Sequence, residues 1–217
     1  MAGDSARPVA AGAGRGAGTA LAGADSAWQA FDLARIAGVA AALAALVLAG
    51  GVAAGVHRAW AAWLVASVGI TTAGLAGIVF VATQYASGAA WSVAFRRVPE
   101  ALSAALPVGG VALLALIVLA PGGYPWVEHR DFHGGSVAAF KEAWLSRAFF
   151  TARAAVYLAV WMAFTRAIVA HSRRQDQDGD PAHSARNTRL SIGFLVAFAV
   201  SFSLASFDWI MSLEPDW

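Results

Sequence analysis

Asn187–Trp217 reads NTRLSIGFLVAFAVSFSLASFDWIMSLEPDW. After Arg189 there is no charge from Leu190 to Phe207, about the length at which an apolar helix crosses a bilayer. The first acid, Asp208, follows inside the apolar run and beside Trp209, with Glu214 and Asp216 close behind. An ionisable group near the end of a membrane span is costly, and marks a functional candidate. Asp208 also has a plain alternative: a span ending at Phe207 would leave it an ordinary interfacial acid.

The pattern recurs upstream. Ile36–Val56, Trp60–Val81 and Leu102–Ala120 carry no charge. They predict spans over 36–56, 60–83 and 102–120, with Pro107 bending the third. Phe149–Ala170 predicts a fourth span, which carries Arg153 and Arg166. The opening stretch predicts a fifth over 190–213. The expected fold class is all-α: a polytopic integral membrane helix bundle of about five transmembrane helices. Gly69, Ala73, Gly74 and Gly77 give the second span a small face on which another helix can pack closely.

Residues 1–30, rich in Ala and Gly, read as a flexible tail, and 31–217 as the transmembrane domain. Trp28–Leu33 reads as an interfacial patch. Tyr85–Ala101 is amphipathic. Tyr124–Arg147 is the longest loop, with a short interfacial helix over Val137–Leu145. His171–Arg189 reads as a polar loop.

Composition agrees with the bilayer. The chain is 59% hydrophobic and 13% charged, against about 25% charged in soluble domains. A net charge of +2 gives no reason to expect a nucleic-acid partner. With no cysteine, thiolate metal sites and cysteine-ligated clusters are excluded. None of the five histidines falls in mid-span, so haem ligation between helices is not expected. His129 and His133 flank Asp131 in a loop where a solvated surface outweighs a metal site. No nucleotide-binding or hydrolase motif is present. No catalytic residue, metal ligand or bound cofactor is therefore assigned.

Loop charges set the expected orientation. Arg96, Arg97, Arg173, Arg174, Arg186 and Arg189 fall on the side of the N-terminus, and Arg58, Arg130, Lys141 and Arg147 on the other. The positive-inside rule then makes the N-terminus cytoplasmic. Asp208, Glu214 and Arg153 fall toward the outer face. Arg153 either snorkels there or pairs with Asp208. Arg166 reads as a snorkelling residue at the cytoplasmic end. Arg96, Arg97 and Glu100 have spacings of four and three, so on a helix Glu100 faces both arginines. They are either an ordinary charged helix entry or a cytoplasmic proton port. Tyr157, Trp161, Phe164 and Ile168 form a packing stripe at helical period.

Four stretches together carry a resemblance: WSVAFRRVPEALSAALP (Trp91–Pro107), YPW (Tyr124–Trp126), KEAWLSRAFFTAR (Lys141–Arg153) and FDWIMSLEPDW (Phe207–Trp217). From about residue 30 onward the chain resembles the ActF-type membrane subunit of bacterial alternative complex III, the quinol:cytochrome c oxidoreductase quinone-binding subunit 2. The DWIMSLEPDW string is its most specific part. The resemblance implies about ten helices, so this chain would be a truncated, N-terminal half. It implies the bacterial inner membrane and a quinol-oxidising respiratory chain. The implied partners are a homologous ten-helix subunit, an iron–sulfur subunit and haem c subunits, besides lipid. Quinone or quinol is the implied small molecule, with no redox centre in this subunit. Asp208, Glu214, Arg153, Glu100, Arg96 and Arg97 are the proton-path or quinol-site candidates. Two other readings stay open: a structural membrane anchor for peripheral subunits, and half of a repeat-built transporter.

Overall fold

A computed structural model describes residues 35–89, 91–128 and 136–214. The expected tail, the Trp28–Leu33 patch and the His129, Asp131 and His133 loop lie outside them. The chain forms two compact units, Met1–Gly50 and Gly51–Trp217. Helix α1 (Arg35–Ala53) fills the described part of the first and enters the second. Its Ile36, Val39, Leu43, Leu46 and Val47 are exposed.

The second unit is built from α2 (His57–Ser87), α3 (Arg97–Leu102), α4 (Ala105–Leu119), α5 (Pro125–Glu128), α6 (Ser136–Trp144), α7 (Arg147–Asp178) and α8 (Ala182–Trp209). Short 3-10 turns occur at Trp91–Ala94, Pro121–Gly123 and Met211–Leu213. No strand occurs among the described residues. Five helical stretches are long and apolar enough to cross a membrane: Arg35–Ala53, His57–Ser87, Arg97–Leu119, Arg147–Asp178 and Ala182–Leu213. Helices are what an apolar chain must form in lipid, because each backbone amide then finds its partner within its own segment. Val65, Val108, Val111, Val156, Val196 and Val200 are exposed, as lipid-facing positions would be.

Helix α2 packs on α3, α4 and α8, and α7 packs on α4 and α8. Lipid offers no hydrophobic drive for this, so close packing and hydrogen bonds must hold the helices together. Trp60 Nε1 donates to the Ala120 carbonyl at 2.7 Å and Trp63 Nε1 to that of Ala112 at 3.0 Å, fastening α2 along α4. Trp161, Ile168 and Phe194 are fully buried between α7 and α8 and their neighbours. Trp161, Phe164 and Ile168 of the α7 stripe are thus packing, as their period implies, while Tyr157 has a further partner, Asp208.

Two expectations need correction. His171–Arg189 is not a loop. Helix α7 runs on to Asp178 and α8 begins at Ala182. Hydropathy marks where a helix leaves lipid, not where it ends, and Arg and Gln are good helix formers in water. The turn rests on Gly179, at φ 69°. Gly179→Ala should cost about 1 kcal/mol, since Ala is strained in that region; thermal unfolding in mild detergent will read it. The third span is interrupted before Pro107, not bent within it. Helix α3 ends at Leu102 and α4 starts at Ala105. Proline then sits in the first turn of α4, where its missing N–H costs little, and its ring excludes a regular helix through Ser103. Asp208 lies within the helix expected over 190–213, not past its end: it sits in the last turn of α8 and is buried.

Candidate functional site

Two buried carboxylates define the chemistry of the bundle. Asp208 is 1% exposed and Arg153 8%. Arg153 Nε donates to Asp208 Oδ2 at 2.9 Å, and its Nη2 to Oδ1 at 2.7 Å. This is the two-pronged fork in which guanidinium and carboxylate bind best. Trp144 Nε1 donates to Oδ1 at 2.9 Å and the Tyr157 hydroxyl to Oδ2 at 3.1 Å. The remaining guanidinium nitrogen, Nη1, donates to the Trp144 carbonyl at 2.9 Å. The cation stacks 4.0 Å from the centre of the Trp144 ring and 4.3 Å from that of Phe149. Three helices contribute: α6 gives Trp144, α7 gives Arg153 and Tyr157, α8 gives Asp208. Tyr124 stands behind them, its hydroxyl 3.5 Å from the Trp209 carbonyl. Burial, with the Asp208 charge second, pushes its phenol well above the usual value, so it stays a neutral donor.

Glu100, 4% exposed, is the second centre. Arg97 Nη1 donates to its Oε2, and the Ser172 hydroxyl to its Oε1. Arg96 Nε lies 3.5 Å from Oε1. Arg96 also donates to the Tyr85 hydroxyl at 2.9 Å and pairs with Asp176 at 3.3 Å. Arg97 pairs with Asp176 too. Short helix α3 holds Glu100 in its first turn, and the Ser103 hydroxyl bonds the Glu100 carbonyl at 2.6 Å.

Arg153 and Ser172 mark the two centres on one helix, α7. At about 1.5 Å per residue their separation is about 28 Å, close to the hydrocarbon thickness of a bilayer. Between them α7 and α8 bury Thr165, Asn187 and Ser191. The Thr165 Oγ1, Ser191 Oγ and Asn187 Oδ1 atoms have no hydrogen-bond partner among the described residues. Asn187 spends its amide nitrogen on the Ile168 carbonyl at 3.1 Å. Nearer the Asp208 end, Trp161 Nε1 donates to Ser201 at 2.8 Å.

Of the six sequence candidates, five converge: Arg153 on Asp208, and Arg96 and Arg97 on Glu100. The sixth, Glu214, is exposed after α8 and makes no ion pair among the described residues. Arg166 is exposed, as a snorkelling residue would be. Sequence reasoning missed Trp144, Tyr85, Ser172 and Asp176. Ser172 and Asp176 were hidden by the supposed loop. Tyr157, read as packing, lies one helical turn beyond Arg153, and that spacing was the available signal.

Fold and charge placement together define an α-helical, multi-pass membrane protein with a buried ionic centre toward each end of its bundle. Comparison with protein-family models and with curated protein sequences finds no match.

Proposed function

We propose that this chain is a membrane subunit of a quinol-oxidising respiratory complex that conducts protons and holds no redox centre of its own. The observation that carries the proton role is the spacing of Glu100 and Asp208 across the bundle, with unpartnered Thr165, Ser191 and Asn187 oxygens between them. Such oxygens are the partners that internal water requires. The respiratory part rests on the resemblance of Trp91–Pro107 and Phe207–Trp217 to the alternative complex III subunit. In this reading the membrane is the bacterial inner membrane and the N-terminus is cytoplasmic. Glu100, Arg96 and Arg97 form the cytoplasmic port, and Asp208, Arg153 and Tyr157 the outer one. Glu214 lies at the outer exit. Quinol is oxidised in a homologous partner subunit near the outer face, and iron–sulfur and haem c subunits take the electrons.

The test is made in the whole complex. Glu100→Gln and Asp208→Asn keep the shape and the bonds accepted by one oxygen, lose those accepted by the other, and remove the titrating group. Each is expected to lower the protons moved per electron while the complex still assembles. An unchanged ratio and turnover in both variants would end the proton reading. A structural anchor is the second reading, favoured by one observation: Asp208 accepts four hydrogen bonds, which suits a fixed strut. In that case the same variants change assembly alone.

A further inference from the structure

The hairpin end of α7 and α8 carries more cation than it neutralises. Asp176 is taken by Arg96 and Arg97. Asp178 Oδ2 accepts from His183 Nε2 at 3.0 Å. Asp180 accepts the Ala182 amide at 2.8 Å in the turn before α8. Asp178 and Asp180 keep their charge, but the exposed Arg173, Arg174, Arg186 and Arg189 outnumber them. Arg174 and Arg186 are exposed and have no ion pair among the described residues. One comes from each helix, and both lie within electrostatic reach of the same residue, His171. The His171 and His183 rings meet across the hairpin, Nδ1 to Nδ1 at 3.1 Å, which fixes the two helices side by side at this level.

We infer that Arg174 and Arg186 form a docking site for the phosphate of an anionic phospholipid, seated between α7 and α8 beside the histidine pair. Two guanidinium forks from adjacent helices suit phosphate oxygens better than lysines would. The choice of a lipid over a free phosphate rests on what lies beneath. Positions 167, 171 and 174 share one face of α7, and 186, 190 and 193 one face of α8, by helical period. Moving into the apolar part, these faces offer Ala167, Leu190 and Gly193. Gly193 is exposed, with the Phe164 ring of α7 in van der Waals reach of where its side chain would start, and an acyl chain can lie on this apolar surface. A headgroup at the arginines therefore has its tail placed along the helix pair. The inference is independent of the proton reading: it needs only that the hairpin end reaches the membrane surface.

The experiment uses the full chain in nanodiscs, with a labelled phosphatidylglycerol competing against phosphatidylcholine. The wild-type protein is expected to prefer the anionic lipid. At the usual worth of a basic residue near a membrane surface, Arg174→Gln with Arg186→Gln should reduce that preference about thirtyfold. Arg58→Gln, an equally exposed loss of charge at the other end of the bundle, should reduce it no more than about fivefold, the general worth of one basic residue. An unchanged preference in the double variant overturns the site, as does an equal loss with Arg58→Gln. Millimolar glycerol phosphate should not displace the bound lipid. Full displacement would mean a free-anion site, and overturn the lipid assignment.

Discussion

Arg153→Met is expected to remove about 3–5 kcal/mol of stability, because it strands a buried carboxylate. Asp208 would keep Trp144 and Tyr157 as donors but lose both prongs of the guanidinium. Protonation of the acid is the escape, and it holds the cost to that range. Thermal unfolding in mild detergent and yield in the membrane fraction both measure it. The double variant, Arg153→Met with Asp208→Leu, should regain most of the loss, since a buried pair exchanged for apolar groups is often near neutral. Recovery will fall short by about 1–3 kcal/mol, because Trp144 and Tyr157 lose their acceptor. The cycle of two singles and the double isolates the pair. If Arg153→Met unfolds within about 1 kcal/mol of wild type, the pair is solvated and Asp208 is no buried centre.

The same residues show what the sequence could reveal. Spans of uncharged residues are set by bilayer thickness, so the five long helices were legible from composition and length alone. Arg153 and Asp208 were legible as candidates because a charge inside an apolar run needs a reason. Their two-pronged pairing was not, because it depends on the rotation of two helices that no single span encodes. Glu100 was visible as facing Arg96 and Arg97 by spacing. Its third partner, Ser172, was not, because hydropathy ends a span at the lipid boundary while α7 continues to Asp178. Glu214 failed to join either centre for a related reason. It follows the last turn of α8, where the chain leaves the helix axis that aims Asp208 inward.

Gly77→Val, at a position with no polar chemistry, should cost about 3 kcal/mol. A Cβ at Gly77 would overlap the Pro99 carbonyl and press on Ser103 and Leu102. The backbone of α3 approaches α2 too closely for any side chain there. Gly74 and Gly109 do the same for α2 against α4: their Cβ atoms would meet the Leu106 and Thr71 backbones. Small faces of this kind are how helices gain contact in lipid. Gly69→Val is the control on the same helix, because nothing stands within 4 Å of that position. It should change unfolding by less than about 0.5 kcal/mol. Gly77 has a second consequence that Gly74 lacks. Its neighbour Pro99 is joined to Glu100, so pushing α3 outward draws the carboxylate away from Ser172 on α7. In the whole complex, Gly77→Val should therefore lower protons per electron as Glu100→Gln does. Gly74→Val, at equal loss of stability, should lower it less. Equal ratios for the two glycine variants would mean that packing alone, and not the position of Glu100, sets the proton yield.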